Sequence, residues 1–126
     1  MIIERVETNT APAAIGPYSQ ATVFQNLIFT SGQIPLSAET GEVVGDDITS
    51  QTKQTMINLK SLLTAAGSDL SRVLKTTCFL TDMAHFAAFN EVYSEFFTTE
   101  KPARSCVAVK QLPKGVLVEV EAIAVK

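Results

Sequence analysis

The amino-acid sequence predicts an α+β domain, a mixed six-stranded sheet with two helices packed on one face. Three observations predict it. The apolar pattern runs through three strands, a helix, a strand, a second helix and two final strands. Helical periodicity occurs in only two stretches, so two helices must serve the whole sheet. The final run, residues 116–125, is apolar on both faces, as expected of a strand buried on both sides.

Residues 2–7 and 18–24 read as short strands separated by Pro12 and Gly16-Pro17. Leu27-Ile28-Phe29-Thr30-Ser31 is a third, and Gln25-Asn26 before it suits a tight hairpin turn. Gly32 ends that strand; Pro35 and Glu39-Thr40-Gly41-Glu42 mark turns in the loop that follows. Thr52, Met56, Leu59, Leu63 and Ala66 then recur on one helical face, with Asp46-Asp47 placed to cap its start and Gly67 its end. Val73–Leu80 returns to strand, rich in β-branched residues. Asp82 suits the cap of a second helix whose apolar face is Phe86, Phe89, Tyr93, Phe96 and Phe97. Strands over 104–110 and 116–125 close the chain, joined by Leu112-Pro113-Lys114-Gly115. In the last, Val118, Val120, Ala122 and Ala124 occupy one side and Leu117, Ile123 and Val125 the other. The helices cover one side of the sheet, and a partner subunit is the simplest cover for the second.

Composition narrows the function classes. The 126 residues, 46% hydrophobic against 18% charged, suit one folded domain over 1–126 with a real core. A net charge of −3 without a Lys/Arg run argues against a nucleic-acid footprint. No stretch approaches the roughly 18 apolar residues of a membrane span. Cys78 and Cys106 lie in strand-like runs, and Met1-Ile2-Ile3-Glu4-Arg5 lacks a signal-peptide core, so both read as reduced thiols in a cytoplasmic protein. One His and two Cys without ligand-like spacing speak against metal chemistry, and the same lone His85 would have to serve any Ser-His-Asp or Cys-His site. No phosphate-binding glycine motif occurs.

The most informative residue is Arg104, a guanidinium inside the strand-like run Pro102-Ala103-Arg104-Ser105-Cys106-Val107-Ala108-Val109. Its charge is permanent and its planar fork matches a carboxylate. That carboxylate comes either from the chain, with Glu119 and Glu121 close in sequence, or from a ligand. Glu119, inside Leu117-Val118-Glu119-Val120, equally needs a partner or a task. Cys106 leaves the same strand face as Arg104, which favours a thiolate, although a small core residue fits the pattern as well. Tyr18 opens a strand after a turn and offers a hydroxyl and a ring, to a ligand or to packing. Ser31-Gly32 places a hydroxyl and free backbone at a strand end. Asn90 interrupts the second helix near its apolar face, either as surface or aimed at a cleft.

Four segments together resemble the RidA (YjgF) family. They are Ala14-Ile15-Gly16-Pro17-Tyr18-Ser19-Gln20-Ala21, Thr30-Ser31-Gly32-Gln33-Ile34-Pro35, Pro102-Ala103-Arg104-Ser105-Cys106-Val107 and Val118-Glu119-Val120-Glu121-Ala122-Ile123-Ala124. Asn90-Glu91-Val92-Tyr93-Ser94-Glu95-Phe96-Phe97 fits its second helix. The resemblance implies a chorismate-mutase-like fold, a homotrimer with clefts between subunits, and 2-iminobutanoate/2-iminopropanoate deaminase activity without metal or organic cofactor. It implies that Arg104 grips the carboxylate of a 2-imino acid and that Glu119 positions the attacking water. Tyr18, Ser31, Gly32, Asn90 and Cys106 would line the cleft. The rival expectations are a small-carboxylate-binding trimer without turnover and an RNA-directed translation inhibitor or ribonuclease. The segment Thr98-Thr99-Glu100-Lys101 is short, which would reshape the cleft rim.

Overall fold

The computed structural model describes residues 2–126; Met1 lies outside the described residues. The elements follow the expected order: β1 (Ile3–Val6), β2 (Ala21–Phe24), β3 (Leu27–Thr30), α1 (Ile48–Ala65), β4 (Val73–Leu80), α2 (Phe86–Phe96), β5 (Ala103–Ala108) and β6 (Val118–Val125). They form one six-stranded sheet in the order β1-β2-β3-β6-β4-β5. Only β4 and β5 pair in parallel, as a strand–helix–strand crossover through α2 requires.

Local chemistry sets the element ends. The Gln25-Asn26 turn joins β2 to β3, with Gln25 at φ 56°. Asp47 caps α1 by accepting from the Ser50 amide at 2.8 Å, and Gly67, at φ 90°, follows its last turn. The boundaries differ from the sequence reading in three places. The Tyr18 amide donates to Gly16 O at 2.8 Å, so residues 16–18 turn and β2 starts only at Ala21. The Leu117 amide is taken by Gln51 Oε1 of α1, and β6 therefore begins at Val118. Asp82 caps a 3₁₀ turn, Met83–His85, which hands over to α2 at Phe86.

Register decides which side chains face the helices. Thr76 of β4 sits between Ala122 and Arg104, and Cys78 between Val120 and Cys106. These residues lie on the helix-covered side with Leu80, Val118 and Ala124. Thr52, Met56, Leu59 and Leu63 are buried as expected, Ala66 is buried just past the end of α1, and Gln51, Thr55, Asn58 and Leu62 are buried too, giving a wider buried face than the periodicity predicts. The extra width serves the loop after β3. Asn58 Nδ2 donates to Ile34 O and Leu36 O at 3.0 and 2.8 Å, and Gln51 Nε2 to Gly45 O at 3.0 Å.

The other side of the sheet has no covering element among the described residues. Phe79 lies between Val107 and Glu119, and Thr77 between Ser105 and Glu121. Leu27, Phe29 and Val107 are 38%, 42% and 45% exposed there, a high figure for large apolar side chains within strands.

Thr52 Oγ1 is buried without a hydrogen-bond partner among the described residues. Thr52→Val removes that hydroxyl at nearly constant shape. It should raise thermal stability by on the order of 1 kcal/mol, the typical penalty of an unpaired buried polar group. A lower melting temperature would show that the hydroxyl is paired in solution.

Candidate functional site

A cavity of about 510 Å³ opens at the bare side of the sheet. Its walls include Tyr18, Ser31, Gly32, Ile34, Lys114, Glu119 and Glu121. Each wall is tied to the frame. Gln20, nearly fully buried, accepts from the Thr8 amide at 2.8 Å and donates to Pro12 O at 2.8 Å, pinning the segment that carries Pro12 and Ala13. Ser31 Oγ donates to Ser19 O at 2.6 Å, which leaves the oxygen's lone pairs free to accept. Gln33 and Val120 exchange backbone hydrogen bonds at 2.8 and 3.0 Å, locking the strand end that bears Ser31-Gly32 against β6.

Glu119 projects from β6 into this cavity. Its side chain lies directly against Gly32. Burial, followed by the nearby charge of Glu121, holds its carboxyl above the usual range. A carboxyl in that state is a better proton acceptor near neutrality than an ordinary surface glutamate.

Arg104 is elsewhere. It leaves β5 on the helix-covered side, where its Nη1 donates to Asn90 Oδ1 at 2.7 Å. The guanidinium carbon stands 4.8 Å from the Tyr93 ring centroid and 5.5 Å from that of Phe86. Both distances are within cation–π range. Tyr93 is itself fixed, its hydroxyl hydrogen-bonded to Thr76 at 2.8 Å. Arg104 therefore rests on two aromatic faces with one nitrogen engaged by an amide. The one ion pair among the described residues joins Lys126 and Glu4, far from it.

This corrects one alternative raised by the sequence: neither Glu119 nor Glu121 pairs with Arg104 within the chain. They project from the opposite side of the sheet, because the register aligns Arg104 with Thr76 and Ala122 but Glu119 with Phe79. The expected site residues thus divide. Tyr18, Ser31, Gly32 and Glu119 share the cavity; Arg104, Asn90 and Cys106 share the helix-side edge of β5. Asn90, read as surface or cleft-directed, is the amide that holds the guanidinium. Tyr93 and Phe86 were read only as an apolar helix face, and their spacing of seven under an arginine strand was the available signal. Gln20 and Lys114 carried no signal in the sequence.

The thiols are poor nucleophiles. Burial pushes Cys78 up to about 12. Cys106 is also raised by burial, with the Arg104 charge opposing only in part. Among the described residues, no group of three or more His, Cys, Asp or Glu is placed to hold a metal ion, and no helix is long and apolar enough to cross a membrane.

Proteins similar to this chain over nearly its whole length carry differing functional names. The family model described as Endoribonuclease L-PSP matches residues 8–126. A RutC family protein of Pyrococcus abyssi is 52% identical over 126 residues, spanning 100% of this chain and 99% of that protein. The 2-iminobutanoate/2-iminopropanoate deaminase of Escherichia coli is 48% identical over 124 residues, spanning 96% of each. The crystal structure of E. coli TdcF with bound serine matches with a TM-score of 0.92 at 44% identity, covering 98% of both chains.

A carboxyl whose native pKa lies above its unfolded value favours the fold when protonated. That contribution is complete below the ordinary value of 4.5 and is lost as pH rises through the native pKa. Glu119→Gln mimics the protonated form. It should raise the melting temperature at about pH 7 and leave it unchanged at about pH 3, in a thermal melt series across that range. Destabilisation at neutral pH would mean that the carboxylate has a favourable partner.

Proposed function

The chain belongs to the RidA (YjgF) family, whose model is described as Endoribonuclease L-PSP, and from that premise we propose that it hydrolyses small 2-imino acids to 2-keto acids and ammonia. One observation carries the reading. Arg104 is a permanently charged fork, preorganised on Tyr93 and Phe86, and no carboxylate among the described residues pairs with it. Such a group is matched to a ligand carboxylate. Serine, held by the relative TdcF, is a carboxylate of that size.

The two sets of residues lie on opposite sides of the sheet, so a complete site takes one set from each of two copies. We assign the bare sheet face, with Leu27, Phe29, Phe79 and Val107, to the interface of a homotrimer with clefts between subunits. In such a cleft Arg104 of one copy binds the substrate carboxylate and fixes the C=N carbon before Glu119 of the next. Asn90 keeps the guanidinium aimed, while Cys106 lines the wall without reacting. Tyr18, Ser31 and Gly32 shape the opposite wall.

The chemistry asks little more. Water adds to the carbon of the protonated imine as Glu119 takes one of its protons, and the C=N double bond becomes an amine on a tetrahedral, hydroxyl-bearing carbon. Glu119 returns that proton to the nitrogen and then accepts the hydroxyl proton as the C=O bond forms and the C–N bond breaks, releasing ammonia and leaving the keto acid. Orientation by Arg104 is the main catalytic contribution, since such imines hydrolyse unaided. A cytoplasmic setting, where amino-acid dehydration generates these imines, fits the reduced thiols. The ribonuclease reading suggested by the family's description fits the chain less well, since its net charge of −3 comes without a Lys/Arg run.

The test is ammonia release from 2-iminobutanoate generated in situ by an amino-acid dehydratase. Arg104→Ala should remove between about a hundredfold and about ten-thousandfold of kcat/KM, from two charge-assisted bonds of roughly 1.5–3 kcal/mol each. Arg104→Lys should rescue poorly, because it keeps the charge without the fork. Cys106→Ser should stay within about tenfold of wild type. Tight binding of small carboxylates with no acceleration of ammonia release would instead identify a binding protein.

A further inference from the structure

Four of the six glycines, Gly41, Gly45, Gly67 and Gly115, hold left-handed φ values that explain them. Gly32 does not. Its backbone is one that any residue adopts, so its missing side chain needs another cause. The cause is on the facing strand. A Cβ at position 32 would stand 2.9 Å from Glu119 Cγ, 2.7 Å from Cδ, and closer still to Oε2. Real Cβ atoms essentially never approach so closely. All three atoms belong to the end of one flexible side chain, so an added methyl displaces the carboxylate and leaves the strands in place.

We propose that Gly32 is a positioning residue whose bare Cα forms the seat of the Glu119 carboxylate, fixing the proton-accepting oxygens in the cavity. The assignment rests on the deaminase reading for its catalytic consequence, but the seat itself is a matter of geometry. It gives Gly32 a role besides the substrate contact the sequence suggested. The setting makes the seat useful. Glu121 lies two residues along the same face of β6, and Lys114 and Tyr18 line the same cavity. A Glu119 side chain free to swing would move away from Glu121 and toward Lys114 or solvent. Seated against Gly32, it stays partly desolvated, in keeping with its raised carboxyl pKa.

The experiment pairs Gly32→Ala with a direct readout of Glu119. Carboxyl-selective NMR titration of wild type and Gly32→Ala follows the Glu119 side chain, and steady-state kinetics follow turnover of 2-iminobutanoate. In Gly32→Ala the Glu119 titration should fall back toward the ordinary 4.5, with the fold intact. Turnover should drop by about ten- to a hundredfold in kcat with KM within roughly threefold. In a Glu119→Gln background, Gly32→Ala should change kcat by less than about twofold, since both changes act on one group. Should Gly32→Ala fold poorly, Gly32→Ala/Glu119→Asp retracts the carboxylate from the new methyl and should restore the melting temperature. An unmoved Glu119 titration, an equal loss of kcat in both backgrounds, or no such restoration would overturn the seat. No turnover by wild-type protein would overturn the deaminase reading alone, and the titration then decides the seat by itself.

Discussion

The alternation of side chains across the β4–β6 and β4–β5 ladders governs everything else in this molecule. Thr76 pairs with Ala122 on one side and Arg104 on the other, so Arg104 is committed to the helix-covered side. Phe79 pairs with Glu119, which is thereby committed to the bare side. A slip of one residue in the β4–β6 ladder would move Glu119 to the helix-covered side. It would also turn Val118, Val120, Ala122 and Ala124 out of the core, all of them nearly or fully buried. Core packing therefore enforces the separation of the cation from the carboxylate.

That separation leaves two charges poorly compensated, for different reasons. Arg104 is stabilised by ring faces and an amide, which hold a guanidinium without neutralising it. Glu119 is held close to Gly32 beside a like charge, where its ionised form is disfavoured. Both arrangements forgo an internal ion pair, and both leave a charged group available to a ligand. The apolar residues around Phe29 and Val107 on the bare face are the third uncompensated feature, and an intersubunit site would resolve all three at once.

Much of this was legible in the sequence, and the remainder was not for identifiable reasons. β4 was bounded correctly, since Val73–Leu80 is a continuous β-branched and apolar run between turn signals. The α1 face was right as far as it went. Its burial at Gln51, Thr55 and Asn58 was hidden because polar residues binding loop carbonyls look like a solvated face. The candidate residues were visible as polar interruptions in apolar runs. Their division between two sides was not, because it depends on the register of β6 against β4, strands almost forty residues apart. Nor could a sequence distinguish a glycine needed for space from one needed for backbone conformation, as position 32 illustrates.

The central claim is that the Arg104 side of one copy and the Glu119 side of another make one site. Mixing subunits tests it most directly. Arg104→Ala and Glu119→Gln proteins, each strongly impaired alone, are unfolded together and refolded as mixed oligomers. If the site is shared, about a quarter of the interfaces in a random mixture carry both intact halves, and deaminase activity should return to about that fraction of wild type. A mixture that stays at the level of its parents, with subunit exchange verified by mass, would contradict a shared site and place the whole chemistry within a single chain.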